Sequence, residues 1–501
     1  MKRYFLFLPF FIVTFFAQGQ TASDALRFSN FDVSGTARTI GVGGGLGALG
    51  ADFSVVSTNP AGLAMFRTSE FIFSPSVYSS TTRSLLEDGN TAENKESKSR
   101  FNFSSIGYVN STSPGHGSKW KTANISLGIN QIANFNQTFF YSGTSEGSYS
   151  DRFLELAFDE SGNPLTPDNL DQFEAGLAYE TGAIYDPNDE NGILEWANDF
   201  QWTRDLEVYK EQLVNTRGAI NELNFSFAGN YNERLMIGAS VGLPFVNFKE
   251  EKIYIEEDPD DEIPIFVAST FKENLSISGI GVNFKLGLIF RVNQTLRLGA
   301  AVHTPTAYNL TDNFSTELNY IFDVGNEPES FTGESPEGTF DYKLKSPWRY
   351  IGSAGVIIRK LGFLTAEIEY VDYSGAVFNL TANSSDPGDA AYQDEINQEI
   401  SEDFTSALNF KLGGEYAYEM FRFRAGYGIY GTPYAEGKVV NHAISFGLGF
   451  RKERFYMDLA FRRLMIDEGY IPYTMSDMAK QQLVNNSINN DRIALTFGFK
   501  F

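Results

Sequence analysis

The 501-residue chain contains no cysteine and only three histidines. Without cysteine there is no disulfide framework, no thiolate metal site and no lipid-anchoring cysteine behind a leader peptide. Beyond the first twenty residues no apolar run is long enough for a helix to cross a bilayer. Basic residues are also scarce: 39 Lys and Arg stand against 63 Asp and Glu, a net charge of −24 whose sign disfavours nucleic acid as a partner. No H-E-x-x-H is present, and Asp186-Pro187-Asn188-Asp189-Glu190 lacks the glycine that a calcium loop needs at its sixth position. No metal and no cofactor are expected.

What is present is aromatic and glycine-rich. Phe and Tyr number 46 and 25, glycine 46, and the mean hydropathy is nonetheless negative. Met1 to Gly19 carries Lys2 and Arg3, then an apolar run from Tyr4 to Phe16, with Ala17 and Gly19 at the small positions of a cleavage site. That is a secretory signal peptide over residues 1–19, too short to span. Its removal brings the net charge to −26. The rest shows no linker, so it is not divided into several soluble domains. High aromatic content without a hydrophobic block fits a transmembrane β-barrel, in which only every second residue meets lipid.

The alternation is visible along single stretches. Ile493, Leu495, Phe497, Phe499 and Phe501 alternate with Arg492, Ala494, Thr496, Gly498 and Lys500. Phe421, Phe423, Ala425, Tyr427 and Ile429 do so against Arg422, Arg424, Gly426 and Gly428. About fourteen such segments follow one another: 69–79, 100–110, 121–136, 218–231, 234–247, 274–291, 295–308, 339–359, 363–379, 404–417, 420–430, 439–451, 454–465 and 491–501. Short connections (111–120, 232–233, 292–294, 360–362, 418–419, 452–453) alternate with mostly long ones, as periplasmic turns alternate with extracellular loops in outer-membrane barrels. The fold class is therefore all-β, a transmembrane antiparallel barrel over residues 68–501.

Residues 137–217 form the longest connection. From Glu146 to Glu211 it holds 17 acidic and 3 basic residues, a net −14. Pro167 suits a first helical turn, and Leu170, Phe173 and Leu177 share a helical face, so this loop is expected to pack over the barrel mouth. Register follows from the turns. With Tyr418-Glu419 as a two-residue turn, Glu415 faces Arg422 as a lumen charge pair, Tyr416 faces Phe421 and Phe410 faces Tyr427. With Lys452-Glu453 as the next turn, Phe450 faces Phe455 and Leu448 faces Met457. Glu367, Glu369, Arg424 and Arg462 join the lumen charges. Gly143-Thr144-Ser145-Glu146-Gly147 matches a nucleophile elbow, but His116, His303 and His442 all lie elsewhere along the pattern, so no catalytic set assembles and an enzyme is not expected.

Between leader and barrel, residues 20–67 hold a glycine-rich stretch containing Gly43, Gly44, Gly45, Gly47 and Gly50. It closes on Asn59-Pro60-Ala61, whose asparagine the proline biases to extended backbone. Gly45 to Gly50 fits G-x-G-x-x-G literally, yet without the strand, helix and acidic residue of a dinucleotide site. A flexible loop is a second reading and a compact plug a third. Leu49-Gly50-Ala51-Asp52-Phe53-Ser54 followed by Asn59-Pro60-Ala61-Gly62-Leu63 resembles the FadL/TodX-type family of outer-membrane transporters for hydrophobic compounds. The motif spans about residues 39–66; the remainder matches in architecture.

The resemblance implies a fourteen-stranded barrel with residues 20–67 as a hatch in its lumen. It also implies passive uptake of long-chain fatty acids, aromatic hydrocarbons or similar molecules, captured outside and released sideways past the hatch. Substrate-binding residues are not marked by the motif. Haem, carried by some relatives, is not selected by anything here. A kink in the third strand makes the family's exit, and here Gln131 takes the lipid parity while Ile132 takes the lumen parity. The candidate exit is therefore Gly128, Asn130, Gln131, Ile132 and Asn134. Expected partners are the apolar substrate, outer-membrane lipid and lipopolysaccharide, and the barrel-assembly machinery reading the strand that ends at Phe501. The place is the outer membrane of a Gram-negative bacterium. A structural or adhesive barrel with a static plug is the alternative. A continuous apolar pocket in the lumen favours transport, and a lumen filled with paired charges favours the alternative.

Overall fold

The computed structural model describes residues 21–501 except 88, 90, 91, 116, 160, 189–193, 202–205, 326, 382–386, 438 and 477–480. The leader expected over residues 1–19, His116, Asp189 and Glu190 lie outside the described residues. The β segments join one antiparallel sheet that closes on itself. Segments lying end to end reduce it to fourteen wall strands.

Strand β1 is Glu70–Leu86 and β2 is Asn94–Thr112; β3 is Trp120–Asn134, continued by Gln137–Glu146. Then come β4 (Glu207–Tyr231), β5 (Leu235–Glu257), β6 (Phe266–Arg291) and β7 (Leu296–His303, continued by Ala307–Phe322). Strand β8 runs through Glu329–Glu334, Gly338–Lys345 and Arg349–Ile358, and β9 through Gly362–Asp372 and Val377–Asn379. The last five are β10 (Ser406–Tyr418), β11 (Phe421–Tyr430), β12 (Asn441–Arg451), β13 (Phe455–Tyr470) and β14 (Val484–Lys500). The barrel closes where β14 pairs with β1, Phe71 opposite Phe499.

Period-two patterning explains the two faces. Leu127, Phe225, Phe284, Leu364, Leu412 and Phe446 are all more than half exposed on the outside, where lipid would cover them. Asn124, Asn224, Ser226, Asp458 and Thr496 on the opposite parity are fully buried in the lumen. Aromatic residues gather near the short turns, as Tyr108 stacked on Phe501 and Trp120 edge-on to Tyr231 show, and Trp348, Tyr350 and Tyr370 form a second group toward the other rim. Among the described residues no helix is long and apolar enough to cross a membrane.

Strands run further outward than their hydropathy shows. Residues 80–99, expected as a loop, are largely strand, with Thr81 to Leu86 paired to Asn489 through Val484. Above the bilayer both faces of a strand are polar, so the alternation disappears while backbone pairing continues. Two hairpin turns also lie one residue beyond their expected places. The β10–β11 turn is Glu419-Met420, with Glu419 at φ +49°, so Tyr418 faces Phe421, Tyr416 faces Phe423 and Phe410 faces Ile429. The β12–β13 turn closes by Lys452 N–H on the Phe455 carbonyl, which sets Phe450 against Met457 and Leu448 against Leu459. Each register shift is two residues, so it preserves which face is apolar; hydropathy alone cannot distinguish such registers.

The long outer connection folds into α3 and α4 after two short helices in the N-terminal segment, α1 (Ala22–Arg27) and α2 (Ala37–Gly41). Helix α3 is Tyr149–Leu156 and α4 is Ala175–Thr181, with a 3-10 turn at Pro167–Asn169. Leu170, Phe173 and Leu177 do not share a helix. Asp171 accepts from the N–H groups of Phe173, Glu174 and Ala175 and so starts the helix later. Helix α5 (Pro387–Asp403) follows β9.

Candidate functional site

The N-terminal segment 21–66 packs against lumen-facing groups of the wall. Its fold is organised by short polar side chains. The Asp52 carboxylate accepts from the hydroxyls of Thr36 (2.8 and 2.7 Å) and Thr39 (3.0 Å) and from Ser54 N–H (2.9 Å). Residues 41–50 are all buried. Gly43, at φ +70°, lies where a Cβ would come within 3.3 Å of the Gly426 Cα on β11, and Gly50, at φ +65°, lies 2.6 Å from Gly62 on the same measure. A side chain at either position would be strained and crowded. Gly44, Gly45 and Gly47 face Val33, Thr365 and Glu367 respectively.

Asn59 is 1% exposed and fully engaged. Its amide donates to the Gly47 carbonyl (2.8 Å) and to the Leu288 carbonyl on β6 (3.2 Å), while its oxygen accepts from Ala61 N–H (3.2 Å). Pro60 and Ala61 open a buried 3-10 turn, Pro60–Met65, over Gly238 and Gly287. Other strands hold the segment in the same way. Ala37 N–H donates to Thr496 (2.7 Å), Thr365 to the Gly45 carbonyl (2.5 Å), His303 Nε2 to the Thr58 carbonyl (2.6 Å) and Asn124 to the Leu63 carbonyl (2.7 Å). These bonds reach β14, β9, β7 and β3, four separate parts of the wall.

Most of the expected lumen charges form ion pairs. Glu415 does not face Arg422, because the turn lies one residue further on; it accepts from Arg424 Nε (2.7 Å) and lies 3.5 Å from Arg38 of the N-terminal segment. Arg424 also donates to Asp458 (2.7 Å), both side chains being wholly buried. Arg422 is left near the rim, donating to the carbonyls of Glu419 and Phe421. Lys411 bridges Glu367 (3.3 Å) and Glu369 (2.7 Å), and Arg349 pairs with Glu369. Two sets escaped the sequence reading: Asp32 shared by Arg462 (2.7 Å) and Arg492 (3.3 Å), and Glu222 with Lys285 (2.5 Å). Their lumen parity was legible; which acid meets which base was not, since Asp32 lies outside every strand.

The third strand behaves unlike its neighbours. Ile125, Leu127 and Ile129 face outward, but Gln131 and Ile132 are buried, with a register shift toward β4 between Gln131 and Ala133. The Ile132 carbonyl accepts instead from Asp32 N–H (3.0 Å). Toward β2 the ladder runs from Thr112/Ala123 to Ser105/Asn130 and goes no further. Gly128 and Asn130 thus lie in the paired part. Gly128 faces the Phe53 ring beside Gly107, and a larger residue there would strike the N-terminal segment rather than fill an opening. Asn130 donates to Ser57 (2.9 Å), and Asn134 to Gln131 (3.3 Å). From Gln131 outward β3 has lost β2.

A cavity lies beside that break, touching Asn130, Gln131 and Ile132. Phe31 to Ser34 border it on one side, and Glu222, Lys285, His303, Arg349, Glu369 and Lys411 on the other. Its lining mixes the charged groups with apolar side chains, Phe31, Val33, Ile132 and Ile351. Above it the lumen is filled by an apolar cluster that includes Phe28, Phe248, Tyr308, Tyr342, Phe378 and Ile396. Higher still, the outer connection forms a cap.

In the cap, Tyr149 contacts the rings of Phe153, Tyr254, Phe271 and Tyr473 at centroid distances of 5.0, 5.2, 5.0 and 4.6 Å. Arg152 pairs with Glu174 (2.9 Å) and donates to the Thr474 carbonyl (2.8 Å). Burial holds the Glu174 carboxyl above its ordinary range despite Arg152. Burial likewise raises Asp199, although Tyr320 (2.7 Å) and Tyr185 (3.2 Å) donate to it, and Tyr185 is pushed to about 12. Ser145 of the elbow-like motif accepts from Lys210 Nζ (2.9 Å), which also binds the carbonyls of Ser145 and Glu146. The hydroxyl is one of three acceptors around a buried ammonium. His442 pairs with Tyr427 (2.8 Å), far from it in sequence.

These features define an outer-membrane type of fourteen-stranded barrel with its N-terminal segment inside. The BamG family model matches residues 199–461, just over half of the sequence, and the chain belongs to the BamG family. No curated protein matches it. Solved structures do. The toluene transporter TodX of Pseudomonas putida aligns over 94% of this chain and 99% of its own at 13% identity, with a TM-score of 0.52. A Pseudomonas aeruginosa FadL homologue aligns over the same shares at 12% identity and a TM-score of 0.53. At such identities the likeness is one of fold, and it agrees with the resemblance carried by residues 39–66.

Proposed function

We propose that this chain is an outer-membrane channel for passive entry of hydrophobic small molecules, with residues 20–67 as the hatch and the break beside Gln131 to Asn134 as the lateral exit. The observation that carries this reading is the coincidence of the β2–β3 ladder's end with a cavity touching Asn130, Gln131 and Ile132. A solute leaving there enters the bilayer directly and needs no energy source. The FadL/TodX-type fold supports it, as does the outward apolar band. The site is the outer membrane of a Gram-negative bacterium, in contact with its lipid and lipopolysaccharide. The test is uptake of a labelled long-chain fatty acid and of toluene into vesicles holding the purified protein, with mass spectrometry of co-purified molecules. Ile132→Trp should lower uptake at least severalfold; unchanged uptake would remove the exit.

A second reading has its own observation. Many of the lumen charges are paired, and both ends are occupied, by the N-terminal segment below and the aromatic cap above. That arrangement suits a barrel with a static plug serving a structural role. Membership of the BamG family supports an association with the barrel-assembly machinery. Absence of any co-purified apolar molecule, combined with co-isolation of that machinery at fixed stoichiometry, would favour this reading.

A further inference from the structure

The end of the β2–β3 ladder leaves something else behind it. Strand β2 continues outward from Ser104 to Asn94, and among the described residues it pairs with β1 alone along this stretch. The continuation of β3, Gln137–Glu146, does not cover that edge. It passes behind β1 and β2 inside the lumen, where Gln137 donates to Thr82 (3.3 Å) and Asn94 to Ser142 (3.4 Å). It pairs with β4 instead. One side of an eleven-residue ladder is therefore open, a length of roughly 35 Å at strand rise.

An open edge is a template for another strand, and at lipid depth its unpaired backbone groups are costly. This edge begins at lipid depth. Phe101 and Phe103, the former 64% exposed, stand at the level of Val77 on the outer face. Further out its character becomes basic: Lys95 and Arg100 are exposed, Lys98 reaches across the seam to Asn215 and donates to the Thr216 carbonyl (2.7 Å), and Arg217 with its cross-strand partner Lys249 flanks the far side. Glu96 and Glu251 oppose these five cations, so the rim is positive on a chain of net −24.

We propose that the outer half of β2 is a docking site for an extended segment of a partner protein. The segment adds as a strand along 94–104, apolar on the outward face where it meets Phe101 and Phe103 and acidic on the lumen face where it meets Arg100 and Lys98. Main-chain bonds would supply affinity and the basic rim direction. This inference stands apart from the transport reading, because the exit lies below it and needs no partner.

The test uses the full chain in zwitterionic nanodiscs and two synthetic eleven-residue peptides, one alternating valine with glutamate, the other valine with lysine. Fluorescence anisotropy should show the glutamate peptide binding at least tenfold more tightly, and a photo-cross-linker at Ser99 should capture it while one at Asn485, on fully paired β14, should not. The double variant Lys98→Glu/Arg100→Glu, both on the lumen face of β2, should reverse the preference. Of the two adjacent substitutions Ser99→Pro and Arg100→Pro, the one whose N–H points to the open side should abolish binding while the barrel keeps its heat-modifiable mobility. Equal binding of the two peptides, no effect of either proline, or full displacement of the peptide by anionic vesicles would overturn the proposal; the last would assign the rim to lipid.

Discussion

The two ends of the lumen are filled by different physics. At the end near the short turns, the N-terminal segment is held by directional bonds: Asn59 to Gly47 and Leu288, Ala37 to Thr496, Glu415 to Arg424 and Arg38. At the outer end the cap is held by ring contacts around Tyr149 and a broad apolar cluster. Glycine lets backbone approach backbone in the first region, so each bond depends on position to a fraction of an ångström. Apolar burial in the second tolerates rearrangement, because it is non-directional and follows area. The first region should therefore be brittle and specific, the second robust and adaptable.

The sharpest way to break that contrast is the Arg424–Asp458–Glu415 group. Arg424→Ala removes the nearest partner of two buried carboxylates, leaving Glu415 with Arg38 at 3.5 Å and Asp458 with Arg451 at 3.4 Å, and should cost about 3 kcal/mol, seen as a lower midpoint in denaturant for the barrel in detergent. Tyr149→Ala should cost the cap a similar or smaller amount, about 3 kcal/mol, yet leave the barrel's midpoint nearly unchanged. Limited proteolysis at the outer connection would report it. If Tyr149→Phe were as damaging as Tyr149→Ala, packing would not be what holds the cap.

Asn59→Ala removes the donor to the buried Gly47 carbonyl, the second bond to the Leu288 carbonyl and the acceptor for Ala61 N–H. A loss of about 1–3 kcal/mol in the segment's attachment is expected, read as faster hydrogen exchange over residues 41–61 with strand protection retained. The cap should also respond to pH in one direction. Burial raises Glu174 and Asp199, so the stability linked to their protonation is fully present below the ordinary carboxylate pKa and is lost as pH rises through their elevated values. Proteolysis of the outer connection should therefore accelerate with rising pH, and Asp199→Asn should flatten part of that dependence. The smallest effect is expected from Arg422→Ala, within about 0.5 kcal/mol, since Arg422 bonds only to carbonyls of its own turn. Comparable losses at Arg422 and Arg424 would restore the register inferred from hydropathy.

By itself the sequence determined the barrel, its strand number, the alternation of short and long connections and the parity of the lumen residues on regular strands. These follow from hydropathy at period two and from turn chemistry, both local. It also marked the N-terminal segment, because six glycines in ten residues and an Asn-Pro-Ala turn are a local backbone statement. Tertiary structure decided what parity cannot. A two-residue shift of a hairpin leaves every apolar side chain on the same face, so only the turn at Glu419-Met420 could pair Glu415 with Arg424. Strand ends above the bilayer, the sharing of Asp32 by Arg462 and Arg492, and the parting of β2 from β3 after Asn130 all depend on partners distant in the chain. Their physical cause is backbone hydrogen bonding and charge pairing across the closed wall, and neither leaves a period in the sequence.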